Sequence, residues 1–175
     1  MRNTAFLAIG IALLVIQSNL FRLIGHLHIP GATPSLLLPL VVFMGVHEYS
    51  LVRGACVAFA LGYLTDLVGV APIGLYTSTY VAIFILARAA GVRLAAQTML
   101  MQVGLALAFT LVHSIMILVL LAIFGRDAWV PRTLYPLTLP HVLATGAVAP
   151  IVFRIAQRIH LATMSGSTKD AARNA

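Results

Sequence analysis

The chain has 175 residues, of which 61% are hydrophobic and 9% charged, and its mean hydropathy is +1.04. A soluble domain carries about a quarter charged residues, so an ordinary water-soluble globule is excluded and lipid acts as the solvent for most of this surface. The net charge of +7 does not mark a nucleic-acid binder, because the cations stand singly among apolar runs, with no interleaved aromatics; cations in such places are the positive-inside signal of a membrane protein.

A helix that spans the hydrocarbon core needs about 20 mostly apolar residues. Six hydrophobic segments meet or approach that length. The first runs from Thr4 to Ile24. Arg2 precedes it, but no small-x-small cleavage site follows and Phe21 to Ile24 continues the run, so it reads as a retained span rather than a signal peptide. Gly25 to Pro34 is a loop by its Gly and Pro content. The second segment, Ser35 to His47, is short and is expected to be a tilted or partial span. His47, Glu48, Tyr49, Ser50 and Arg53 form a polar break. The third segment runs from Gly54 to Gly69 and the fourth from Gly74 to Ala90. Arg88, Gly91 and Arg93 mark the next break.

The fifth segment, Leu94 to Phe124, exceeds a hydrocarbon core of about 30 Å and should tilt, bend or protrude. Gly125 to Arg132 reads as a polar loop, with Trp129 and Tyr135 suited to an interfacial belt. The sixth segment, Leu137 to Ala156, is interrupted by Pro140, Gly146 and Pro150, which neighbouring helices can accommodate. The expected organisation is therefore a transmembrane domain over 1–160 and a small, polar, disordered cytoplasmic tail over 161–175. With six spans, eight of the 11 Lys and Arg fall on the side of the two termini; Arg22, Arg126 and Arg132 fall on the other. Both termini are thus expected in the cytoplasm.

The third and fourth segments contain an ionisable group, Asp66, in an apolar setting where a charge costs several kcal/mol unless paired or hydrated. In the six-span arrangement it lies near the outer end of the third segment. Candidate partners there are Arg22, Arg126, Arg132, Thr77, Ser78 and the backbone amides opening the fourth helix near Gly74, where a helix dipole favours a carboxylate. Two readings follow: a clamp that closes the hairpin, or a proton or ion site. Gly54, Ala58 and Gly62 recur at a spacing of four, and Ala144 and Ala147 lie close together. Small residues one turn apart let helix backbones approach, either within the chain or against a partner helix.

Other polar residues carry weaker signals. His47-Glu48 lacks the second His one turn on that a zinc hydrolase needs, because position 51 is Leu. His26 and His28 offer two ligands with no nearby Cys or carboxylate. His113-Ser114 has no acid beside it, which leaves a serine-hydrolase reading unsupported; an interhelical hydrogen bond is the plainer expectation, as for Gln97 and Gln102. Cys56, the single cysteine, cannot form an internal disulfide and reads as a small packing residue. No phosphate-binding glycine loop is present. No catalytic group, metal or cofactor is expected.

The stretch Gly62-Tyr63-Leu64-Thr65-Asp66-Leu67-Val68-Gly69-Val70-Ala71-Pro72-Ile73-Gly74-Leu75 resembles the central signature of the rod shape-determining MreD family: a Gly, a following Asp in an apolar run, then Pro-x-Gly-Leu opening the next helix. Pro34 to Val42 and Arg53-Gly54 also resemble that family's second span and the start of its third. The likeness covers about Pro34 to Arg88. It implies an all-α integral membrane protein with a six-helix transmembrane bundle, similar to the S components of vitamin transporters. It further implies a non-catalytic component of the bacterial inner membrane in the cell-elongation complex. The partner it implies is MreC, with MreB, RodA and a class B penicillin-binding transpeptidase in the same complex. The long tail and Pro39 depart from the family pattern. A membrane component that binds or transports a small molecule is the alternative, and it would require a polar pocket between helices, to which Asp66, Arg126, His113 and Thr77 could contribute.

Overall fold

The computed structural model describes residues 2–25, 34–47, 50–69, 72–90, 99–124 and 130–173. These residues are all-helical: α1 (Arg2–Gly25), α2 (Leu37–His47), α3 (Leu51–Val68), α4 (Leu75–Ala89), α5 (Met99–Phe124) and α6 (Val130–Arg173). Each hydrophobic segment of the sequence becomes one helix. Three helical stretches, Leu51–Val68, Leu100–Phe124 and Thr138–Leu161, are long and apolar enough to cross a membrane. Thr4–Leu20, Leu37–His47 and Leu75–Ala89 are shorter apolar stretches. Of the expected six-span bundle, with a short second segment, the described residues thus show six helices, three of them long and apolar enough to span.

Helix direction alternates along the chain, as side-chain contacts show. Phe6 on α1 packs beside Phe43 on α2, and Gln17 accepts a hydrogen bond from the Leu36 amide, so these two run antiparallel. Along α6, Thr145 accepts from the Ser35 amide, Phe153 meets Phe43, and His160 meets His47. Helix α6 is therefore parallel to α2. On α4, Tyr76 and Tyr80 lie against His113, while Ser78 lies near Leu120 and Phe124, so α5 runs antiparallel to α4.

Helix α2 occupies the centre. Every residue from Leu37 to Val46 is buried. A helix that is apolar on all sides has no face to present to water and belongs inside a bundle. Its 11 residues cover about 16 Å at 1.5 Å per residue, short of a hydrocarbon core of about 30 Å. The second segment is thus too short to cross such a core as a straight helix, and its neighbours enclose it. Phe43 anchors it, with Phe6, His47 and Phe153 around its ring.

Three boundaries differ from those expected. Helix α3 begins at Leu51, inside the polar break, because Ser50 has the extended backbone of an N-cap and its carbonyl accepts from the Gly54 amide. Helix α6 begins at Val130, within the expected loop, because Pro131 falls in its first turn, where a missing N–H breaks no helical bond. It also continues to Arg173, through most of the stretch expected as a disordered tail. Extending an existing helix adds one hydrogen bond per residue fixed, whereas starting a new one is unfavourable.

Candidate functional site

Asp66 occupies the last turn of α3 and is 3% exposed. The chain then leaves the helix at Gly69, whose amide bonds to the Thr65 carbonyl at 2.9 Å. It turns through Pro72, whose carbonyl accepts from the Leu75 amide at 3.2 Å. Gly74 has φ of 101°, the left-handed conformation that a residue with a Cβ rarely adopts. This turn reverses the chain and brings the start of α4 down onto the Asp66 side chain.

The carboxylate accepts four hydrogen bonds there. Oδ2 accepts from the amides of Gly74 and Thr77 at 2.9 and 3.0 Å, and from the Thr77 hydroxyl at 2.5 Å. Oδ1 accepts from the Tyr76 amide at 2.9 Å. A helix start leaves its first N–H groups without intrahelical partners. Here the amides of Gly74, Tyr76 and Thr77 go to Asp66, that of Leu75 goes to Pro72, and that of Ser78 bonds back to Gly74 at 3.0 Å. Every donor of the α4 start is satisfied. Asp66 therefore caps α4 from the neighbouring helix, with the positive end of the α4 dipole facing its charge.

Gly62 completes the arrangement. It lies one turn before Asp66 on the same face of α3, and a Cβ there would stand 2.6 Å from the Thr77 Cα and 2.8 Å from the Tyr76 carbonyl oxygen. The missing side chain lets the α4 backbone come close enough for the carboxylate to reach its amides. Gly54, Ala58 and Gly62 are all buried, and Gly62 meets α4. This small-residue face is thus turned into the bundle, not toward a partner helix.

Of the candidate partners of Asp66, Thr77 is in contact. Arg126 lies outside the described residues, and Arg22 and Arg132 are described only as backbone within α1 and α6. Of the hairpin signature, Gly62, Asp66, Gly69, Pro72 and Gly74 each have a part in the clamp. Chemically, the carboxylate has its bonding capacity largely filled by donors and has no nucleophile or acidic partner among its bonds. The geometry is that of a fastening.

His113 does not make the interhelical hydrogen bond expected of it. It is buried against the rings of Tyr76 and Tyr80, with centroids at 6.0 and 5.6 Å, and neither ring nitrogen has a hydrogen-bond partner among the described residues. His47 stacks on Phe43 at 4.1 Å and lies 5.6 Å from His160. Glu48, His26, His28 and Gln97 are outside the described residues. Among the described residues no group of three or more His, Cys, Asp or Glu is placed to hold a metal. Cys56 is exposed on α3, contrary to its expected packing role, because it points away from the α3–α4 contact. Next to the hairpin turn, a cleft of about 300 Å³ is lined by Pro72, Ile73, Leu75, Leu120, Leu121 and Phe124, with Gly74 and Ser78 beside them. It is mostly apolar, and Asp66, Thr77 and His113 are not among its lining residues.

Comparison with models of known protein families, with curated proteins and with solved structures returned no match.

Proposed function

We propose that this chain is a non-catalytic component of the bacterial inner membrane that works by holding a fixed helical surface for other membrane proteins, as the resemblance to the MreD family implies. The observation that carries this reading is the Asp66 clamp. The signature residues Gly62, Asp66, Gly69, Pro72 and Gly74 are engaged in closing one hairpin and not in presenting a reactive group. In this reading all six helices lie in the membrane, with α2 shielded from lipid by its neighbours and both termini in the cytoplasm. The partner is MreC, in a complex with MreB, RodA and a class B penicillin-binding transpeptidase. The output is control of cell shape and peptidoglycan synthesis.

The transport reading requires a polar cavity between helices. The cleft beside the hairpin is lined chiefly by apolar side chains and does not supply such a cavity.

The test is extraction in mild detergent followed by co-purification, together with depletion in cells. Retention of MreC and loss of rod shape are expected. If no elongation component is retained and depleted cells keep their shape, the assignment to the elongation complex is wrong.

A further inference from the structure

His113 stands midway along α5 and is 2% exposed, and neither of its ring nitrogens has a hydrogen-bond partner among the described residues. A neutral imidazole carries one N–H donor and one acceptor nitrogen. Enclosed polar atoms of this kind are, in folded proteins, nearly always bonded to protein or to ordered water.

Three helices meet at this level. On α4, the Tyr76 and Tyr80 rings lie 6.0 and 5.6 Å from the imidazole. These are ring contacts and not bonds to the nitrogens, which lie in the ring plane. On α6, the register brings in a second imidazole. Gly146 sits directly against the Leu107 side chain of the antiparallel α5. From that contact His113 lies six residues on along α5, and His141 five residues back along α6. At 1.5 Å per residue these are steps of about 9 and 8 Å in the same direction, so the two histidines share a level. His141 is also close enough to act on His113 electrostatically. A second enclosed group without a hydrogen-bond partner among the described residues, the Ser35 hydroxyl, joins from the start of α2. The Ser35 amide donates to Thr145, one turn along α6 from His141.

The chemistry of this level selects its occupant. Imidazole nitrogens and the hydroxyls of tyrosine and serine together offer both donors and acceptors. An acyl chain would leave each of them unbonded. No group of three or more His, Cys, Asp or Glu is placed to hold a metal ion among the described residues. Water is the smallest molecule that both donates and accepts, and buried water characteristically takes two to four bonds from polar groups that the chain itself leaves unsatisfied.

We propose that His113 anchors a site for ordered internal water between α4, α5 and α6, with water bonded to the imidazole nitrogens and to the Ser35 hydroxyl. A water bridge is nearly as favourable in enthalpy as a direct hydrogen bond. The site is therefore a joint that ties α5 and α6 to the hairpin, as the Asp66 clamp ties α4 to α3. It rests on burial and register and does not depend on the assembly reading.

Water-edited solid-state NMR of the full-length, 15N-labelled protein in lipid bilayers tests this. The chain has six histidines, so the His113 ring signals are assigned by their loss in His113→Phe, or in His113→Gln where the Phe variant does not fold. The measurement itself is made on the wild type. Magnetisation that starts on water should reach the His113 ring nitrogens severalfold sooner than the backbone amides of Leu40, Val41 and Val42, which are 0% exposed within α2. Transfer to His113 as slow as to those amides overturns the proposal. So does transfer that reaches His113 from acyl-chain protons before it arrives from water, which would put lipid at the site.

Discussion

Replacing Asp66 by Ala would strand the part-buried amides of Gly74 and Tyr76 and the buried amide and hydroxyl of Thr77 at once. Each unsatisfied buried donor costs about 1–3 kcal/mol, so the variant should lose several kcal/mol, a large part of a typical stability of about 5–15 kcal/mol. Thr77→Val removes only the hydroxyl bond to the carboxylate and keeps the shape. It should cost about 1.5–3 kcal/mol, the range for a bond to a charged group, as measured by reversible unfolding in mixed micelles. Gly62→Ala acts differently: its new methyl meets backbone on α4 and not a flexible side chain. It should push the helices apart and lengthen the Asp66 bonds, with destabilisation of about 1–3 kcal/mol from overpacking. Gly74→Ala places a Cβ at φ of 101° with open space around it. Its penalty of about 1–3 kcal/mol is conformational and not steric.

At the scale of elements, the hairpin was the most legible part of the chain. Asp66 in an apolar run, followed by Pro72 and Gly74, pointed to a carboxylate facing a helix start, and the bonds are made there. Arg22, Arg126 and Arg132 are distant in sequence and pairing between separate helices is not encoded in spacing, so they stay candidates, their side chains lying outside the described residues. The role of Gly62 as the close-approach point for α4 was also hidden. A four-residue spacing of small residues shows that a helix contact exists but not with what. The centrality of α2 could have been inferred from Leu37 to Val46, which have no polar face at all, yet shortness alone made the segment look like a weak span. The start of α6 was missed because Gly125 to Arg132 was read whole as a polar loop, although the proline at position 131 suits a first helical turn. Helix α4 should fray from its first turn when its cap is weakened. In Thr77→Val its first-turn amides should exchange with solvent faster than those around Ile83 and Phe84, which remain enclosed by the core.

The whole molecule joins an alternating set of helices, with Asp66 at the turn between α3 and α4 and Arg53 and Arg88 at the opposite ends of those two helices. Alternation of six helices returns the C-terminal part of α6 to the side on which α1 begins, as the proposed six-span reading requires. Single cysteines introduced at Asn3 and Thr168 in a Cys56→Ser background should react with a membrane-impermeant maleimide only after the membrane is opened. Labelling of one in intact spheroplasts would break the six-span arrangement.

Asp66 fastens α4 to α3, and amide hydrogen exchange in Asp66→Asn reads that fastening out. Asn keeps the size of the side chain but has one acceptor oxygen and adds two donors of its own, so it cannot hold Gly74, Tyr76 and Thr77 together. Faster exchange at those three amides is predicted, with a lower unfolding midpoint and reduced partner retention in proportion. Unchanged exchange and an unchanged midpoint, combined with loss of rod shape in cells, would contradict the clamp and return Asp66 to the role of a reactive charge.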